Sequence, residues 1–316
     1  MTPESNIPGE TKSPEGTEGE QPFMKRFEQT IADYAQAAEG GNSEEADRIA
    51  MQALMMAAEE AQRNPTPSVI AKEEAAECES QSDWAGAEAA YRRALALEEA
   101  TLSFGLIAKT QMDLSKLLRL VGRLGEAWEF AGAATSSARQ AKVFPVLVMA
   151  LENQLRCAEA RGDPEAALAA ASEAVEVIEA GRVYDSMRAR ALVNRARSRM
   201  MSDDLERASL DLASSHELLA GPTVSKKLLG PMVALSNWWE VKSQVLEKQA
   251  DIHGALEAMT KAIELTRPME GPYARFALAR ALDRLGALSL QMGDSEGAER
   301  AGAEAKGIRQ ELRLPL

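Results

Sequence analysis

Seven stretches of this 316-residue chain place a small side chain at two points seven residues apart. They are NSEEADRIAMQA (42–53), DWAGAEAAYRRA (83–94), RLGEAWEFAGAA (123–134), DPEAALAAASEA (163–174), DLERASLDLASS (204–215), DIHGALEAMTKA (251–262) and DSEGAERAGAEA (294–305). The first point is Ala46, Ala87, Ala127, Ala167, Ala208, Ala255 and Ala298. The second is Ala53, Ala94, Ala134, Ala174, Ser215, Ala262 and Ala305. Successive first points lie 41, 40, 40, 41, 47 and 43 residues apart. Self-similarity at such a period marks a stack of repeated units, which dictates the architecture more strongly than any other feature of the chain.

Residues seven apart share one helical face, two turns from each other. Alanine at both points lets a neighbouring helix pack with its axis unusually near. Several copies open with glycine and a polar residue: Gly41-Asn42, Gly122-Arg123, Gly162-Asp163 and Gly293-Asp294. The glycine ends one helix, and in three of these four an Asn or Asp caps the next. Apolar-periodic runs such as KTQMDLSKLLRLV (109–121) and ALARALDRLGALSLQM (277–292) precede the turns. The unit is therefore helix, tight turn, helix.

This pattern resembles the tetratricopeptide repeat, whose second helix carries small residues at these two points. DWAGAEAAYRRALAL and RALDRLGALSLQMGDSEGAERA are similar to that family's motif, with Leu285 and Gly286 at its Leu-Gly pair. Ala75, Ser115, Ala196 and Ser243 keep the glycine position small, whereas Leu155 does not. The familiar unit has about 34 residues. The longer period here resembles the variant of kinesin light chain and similar adaptors. The resemblance covers residue 23 to about 312 and implies an all-α, right-handed superhelical solenoid of about seven antiparallel helix pairs.

Composition agrees: 45% of residues are apolar with alanine foremost, and aromatics make up only 4%. No apolar run is long enough for a membrane span, and the start of the chain lacks the pattern of a secretory signal. Cys78 and Cys157 form no metal-type spacing and read as buried or free thiols in a reducing, cytoplasmic compartment. A net charge of −13 argues against nucleic-acid binding. That charge is unevenly spread: residues 101–200 hold 14 Lys/Arg against 11 Asp/Glu, whereas residues 1–100 hold 8 against 21. Residues 1–22, rich in Pro, Gly, Ser, Thr and Glu, read as a disordered acidic tail ahead of a solenoid over 23–316. The tail is either solubilising or a pseudo-ligand for a basic groove. The stretch LLAGPTVSKKLLGPM (218–232) reads as a long loop or a short extra helix.

Catalytic motifs are missing from the sequence. His253 falls in a turn, and His216 falls at a helix end as a packing or capping residue. No phosphate loop, HExxH or Gly-x-Ser-x-Gly occurs, so neither enzyme, cofactor nor metal is expected. Register supplies the candidate binding residues instead. First helices of a helix-pair solenoid line its concave side. Positions 18, 14 and 11 before the first alanine share the exposed face of that helix. They yield Lys109 and Lys116; Asn153 and Arg156; Arg190, Asn194 and Arg197; and Arg280 and Arg284. Lys116, Arg156 and Arg197 recur at one position, beside Asn153 and Asn194. Peptide-binding members of the family clamp ligands with asparagines and basic residues at such places. The resemblance thus implies an adaptor or scaffold that takes an acidic or C-terminal-carboxylate peptide, or a partner protein. The same side chains can instead pair with Glu152, Glu159 and nearby acids. On the first reading, exchanging Arg156 and Arg197 for glutamate abolishes capture and leaves the fold intact. A regulatory sensor module acting beside a transcription factor or enzyme is the other reading, and self-association is left open. Of the adjacent Trp238 and Trp239, one at most faces the core; the other is an exposed contact or inter-repeat packing.

Overall fold

The structure, a computed structural model, describes residues 65–181, 185–221 and 229–314, with short helical stretches between 25 and 56. The chain divides into two compact units, Met1–Val69 and Ile70–Leu316. In the first, Thr30 is buried; its hydroxyl donates to the Arg26 carbonyl (2.9 Å) and approaches the Met56 sulfur (3.7 Å). The expected tail and both alanines of the first repeat, Ala46 and Ala53, lie outside the described residues.

Twelve helices follow from Pro67 onward: α1 (Pro67–Ser80), α2 (Trp84–Ala100), α3 (Phe104–Leu120), α4 (Leu124–Ala141), α5 (Phe144–Arg161) and α6 (Pro164–Gly181). Then come α7 (Asp185–Met201), α8 (Leu205–Ala220), α9 (Leu229–Lys248), α10 (Ile252–Thr266), α11 (Pro272–Gln291) and α12 (Ser295–Glu311). No strand occurs among the described residues. From α2 onward each helix packs on its chain neighbours, α1 packs on α2 through Ala75, Ala87 and Ala90, and first helices also pack on one another, α3 on α5 and α7 on α9. This is the expected all-α solenoid of helix pairs.

The turns repeat one geometry. The residue five before each first alanine is left-handed: Ser82, Gly122, Gly162, Asp203, Ala250 and Gly293 have φ of 56, 83, 69, 59, 64 and 82°. Glycine adopts that conformation freely; the three residues with a Cβ do so at a cost. The next residue is an aspartate in five of the six turns. Asp83, Asp163, Asp204, Asp251 and Asp294 each accept from the backbone N–H three residues on, at 2.8 to 3.3 Å. Each cap satisfies a donor that a helix start leaves without a partner. The exception, Arg123, makes no cap and pairs with Glu126 and Glu88 instead.

The small-residue points do what their spacing requires. Ala87, Ala94, Ala127, Ala134, Ala167, Ala174, Ala208, Ser215, Ala255, Ala262 and Ala305 are buried. Twelve residues before each first alanine, the partner helix comes close. A Cβ on Gly286 would lie 3.3 Å from the Ala298 carbonyl. Ser115 and Ser243 fill the same place and donate to the carbonyls of Ala127 (2.8 Å) and Ala255 (2.7 Å). Leu155, the departure from the pattern, is fully buried among Ala158, Ala167, Ala170 and Ala171, where small neighbours make room for it.

Two irregular steps resolve differently. The second Gly-Pro pair of 218–232 forms part of the first turn of α9, where proline is tolerated because its missing N–H has no helical acceptor. Lys226 and Lys227 lie outside the described residues. The stretch 267–273 is an inter-unit connection, with Gly271 at φ 92° leading into α11.

The superhelix also turns back on itself. The Trp84 indole N–H of α2 donates to the Leu312 carbonyl just beyond α12, at 3.0 Å. Tyr273 of α11 donates to Glu79 of α1 at 2.5 Å, and Tyr91 of α2 donates to the same carboxylate oxygen at 3.3 Å. Leu120, at the end of α3, is buried in the cluster that holds Leu282 and Leu288 of α11 and Ile308 of α12.

Candidate functional site

The first helices α3, α5, α7, α9 and α11 carry the register positions named above, and the tight superhelix brings them together. Arg156 of α5 donates to Asn194 Oδ1 of α7 at 3.1 Å and to Glu159 at 3.1 Å. One unit on, Arg197 of α7 donates to Asn237 Oδ1 of α9 at 3.4 Å and to Glu240 at 3.3 Å, and lies 3.8 Å from Glu159. Each of these two guanidiniums thus reaches an amide of the next unit, and both Arg156 and Arg197 approach Glu159.

The ladder is not the open row that the register suggests. Asn153, Asn194 and Arg197 are only 3 to 5% exposed. Acids from neighbouring units occupy most of the cations. Arg190 reaches Glu152 at 2.7 Å, and Asn194 donates to the same oxygen at 3.4 Å. Arg280 lies 4.0 Å from Glu240, and Arg284 lies 2.5 Å from Glu247. Lys116 pairs with Asp113 one turn away, at 2.9 Å, and Lys109 is exposed. Pairing with Glu152, Glu159 and nearby acids, the alternative open in the sequence, is the arrangement that the interior adopts.

These acids obey the repeat too. Glu152 and Glu240 stand 15 residues before their first alanines, and Glu159 and Glu247 stand eight before theirs. Positions −15, −11 and −8 differ by four and three, so they share the face of the ladder. A cation at −18 meets the acid at −15 of the preceding unit in both Arg190–Glu152 and Arg280–Glu240. The signal was present in the register, but it needed the inter-unit pairing to give it meaning. Arg119 breaks the rule, because it places a cation at the −8 position that Glu79, Glu159 and Glu247 fill elsewhere.

Burial and charge oppose each other here. Burial pulls the Arg156 guanidinium down, but Glu159, Glu240 and Glu152 hold it above its ordinary range. Arg197 goes the other way: burial, and then the charge of Arg156, push it down. Burial raises Glu240, yet Arg197, Arg280 and Arg156 more than reverse this and keep it below the usual carboxylate value. Five buried polar atoms have no hydrogen-bond partner among the described residues: the Nε atoms of Arg119, Arg197 and Arg284, the Asn153 amide nitrogen, and Glu159 Oε1.

The remaining candidates fall into place. His253 is 75% exposed in its turn, and His216 packs its ring 5.0 Å from that of Trp238. Trp238 is buried and donates to the Leu212 carbonyl at 2.8 Å; Trp239 meets it edge-on at 4.7 Å and packs between units. Cys78 and Cys157 are both free thiols. Among the described residues, no cluster of His, Cys, Asp and Glu is suited to a metal, and no helix is long and apolar enough to cross a membrane.

No family model matches the sequence, and no curated protein matches it. Solved structures do match the fold. A Rap protein complexed with Competence and Sporulation Factor superposes with a TM-score of 0.60 at 12% identity, over 94% of this chain and 78% of that one. The apo form of RapI gives 0.59 at 9% identity, over 91% of this chain and 99% of that one. A Podosopora anserina putative kinesin light chain with nearly identical TPR-like repeats gives 0.40 at 13% identity, over 64% and 94% of the two chains. At these identities the likeness is one of fold. The chain has the tetratricopeptide-type helical-repeat fold that its spacing predicts.

Proposed function

We propose that the chain is a non-catalytic protein-interaction module that takes a partner segment carrying carboxylates against the concave face of its first helices. One observation carries the reading: guanidiniums recur at one register position and each reaches an amide of the next unit, Arg156 to Asn194 and Arg197 to Asn237. Asparagine offers both donor and acceptor to an extended backbone, and arginine offers paired N–H groups to a carboxylate. The likeness in fold to a Rap protein complexed with Competence and Sporulation Factor supports a ligand-taking role. The test uses residues that the fold can spare. Lys109 is exposed, and Lys116 pairs with Asp113 of its own helix. Exchanging both for glutamate should lower capture from a native lysate at least tenfold while helicity and melting stay near wild type. Undiminished capture would refute the groove assignment.

The sensor reading also keeps a specific support. Hydrogen bonds from Trp84 to Leu312 and from Tyr273 to Glu79 join the first described pair to the last, so a ligand inside could alter the whole superhelix.

A further inference from the structure

Six charged groups from five first helices come together along the stack, five of them buried or half-buried and Arg280 at its solvent edge. Arg119 lies within electrostatic reach of Arg156, Arg280 and Glu159, and Arg197 lies within reach of Arg156, Arg280, Glu159 and Glu240. Four guanidiniums face two carboxylates, which leaves two positive charges over. The flanking ions do not cancel this excess, since Arg190, Arg284 and Lys116 are each matched by an acid of their own. Arg119 makes no ion pair and no side-chain hydrogen bond among the described residues, and its Nε is buried without an acceptor. Arg197, whose side chain is 5% exposed, and Asn153, also 5% exposed, likewise hold buried N–H groups without acceptors.

Buried polar groups are as a rule satisfied, and buried charge is as a rule compensated. In an acidic chain, an interior with surplus positive charge and unmatched N–H donors is a local exception that calls for an anion. We propose that Arg119, Arg156, Arg197 and Arg280, with the Asn153 amide, form a binding site for a small, doubly charged oxyanion such as a phosphate or dicarboxylate group. Guanidinium forks present parallel N–H donors that match such oxygens. Two negative charges balance the excess, and a single carboxylate leaves one unmatched. Arg280 is 50% exposed, so the α11 end of the cluster meets solvent. Burial lowers Arg119 and Arg197, as expected for cations awaiting a counter-charge.

The site shares Arg156 and Arg197 with the partner-binding reading, but the two fail separately, because the capture test alters Lys109 and Lys116 and leaves Arg119 in place. The experiment compares inorganic phosphate, succinate, acetate and chloride at equal ionic strength, reading thermal shift and calorimetric binding on the full chain. Phosphate or succinate should raise the melting temperature saturably, and acetate should match chloride. Arg119→Gln should melt at or above wild type in chloride, since it removes an uncompensated charge, and should bind the dianions at least tenfold more weakly. Arg280→Gln, a change at a half-exposed position, provides the same loss of binding should Arg119→Gln not fold. Shifts no larger than those in chloride, or shifts retained in both variants, would overturn the proposal.

Discussion

Tyr273 donates its hydroxyl to Glu79 across 194 residues of chain, and the two side chains fasten α11 to α1. Trp84 adds a second link, to the Leu312 carbonyl. A net hydrogen bond contributes about 1 kcal/mol, and more when one partner is charged. The double change Trp84→Phe and Tyr273→Phe removes both links and keeps the rings. It should cost roughly 2 to 3 kcal/mol in chemical denaturation and increase the radius of gyration in small-angle scattering. An unchanged radius would mean that apolar packing around Leu120 closes the superhelix unaided.

The same carboxylate makes closure sensitive to pH. Burial raises Glu79 above its ordinary value of 4.5, and the hydroxyls of Tyr273 and Tyr91 only partly offset this. The folded state therefore binds the proton more tightly than the unfolded state. That contribution to stability is complete below 4.5 and is lost as pH rises through the raised folded value. Wild type minus Glu79→Gln stability should thus fall as pH rises from 4.5 through the raised folded value. A flat difference in paired melts across that range would contradict the assignment.

Arg197 is buried between Glu159 and Glu240. Arg197→Glu would place three carboxylates together in a largely buried setting. Breaking a buried pair in this way costs about 3 to 5 kcal/mol. The Arg156 and Arg197 double exchange, which the sequence alone presents as silent on folding, should therefore unfold or severely destabilise the solenoid. Denaturant midpoints measure this directly.

Ala250 sits at φ 64°, where Gly122, Gly162 and Gly293 serve other turns. Ala250→Gly relieves the Cβ strain but adds freedom to the unfolded chain. Relief of about 1 to 2 kcal/mol against about 0.4 to 1 kcal/mol predicts a net gain of roughly 0.5 to 1 kcal/mol. The reverse change, Gly122→Ala, should destabilise. Thermal melts of the pair test the sign.

The helix pairs were legible because their causes are local. Alanines seven apart, an aspartate after the turn and a small residue facing the next helix all act within a few turns of chain. Even so, Asp83, Asp204 and Asp251 cap turns that lack glycine, and a rule that paired glycine with its cap passed over them. Leu155 shows the converse, a break in the pattern that its alanine neighbours absorb.

For the interior, register placed Asn153, Arg156, Asn194 and Arg197 on one face; in the structure Arg156 meets Asn194, and Arg156 and Arg197 both approach Glu159. Their exposure was not legible. Whether a first-helix side chain meets water or another unit depends on how far the superhelix closes. Small rotations summed over successive units set that closure, together with contacts such as Trp84 to Leu312 that join residues 228 apart. Sequence by itself thus determined the repeat, the turn and the face, since each follows from spacing along one helix. Tertiary structure alone decided which cations meet acids and that Arg119 forms no ion pair among the described residues, because Coulomb energy and desolvation depend on distances between units that no local pattern contains.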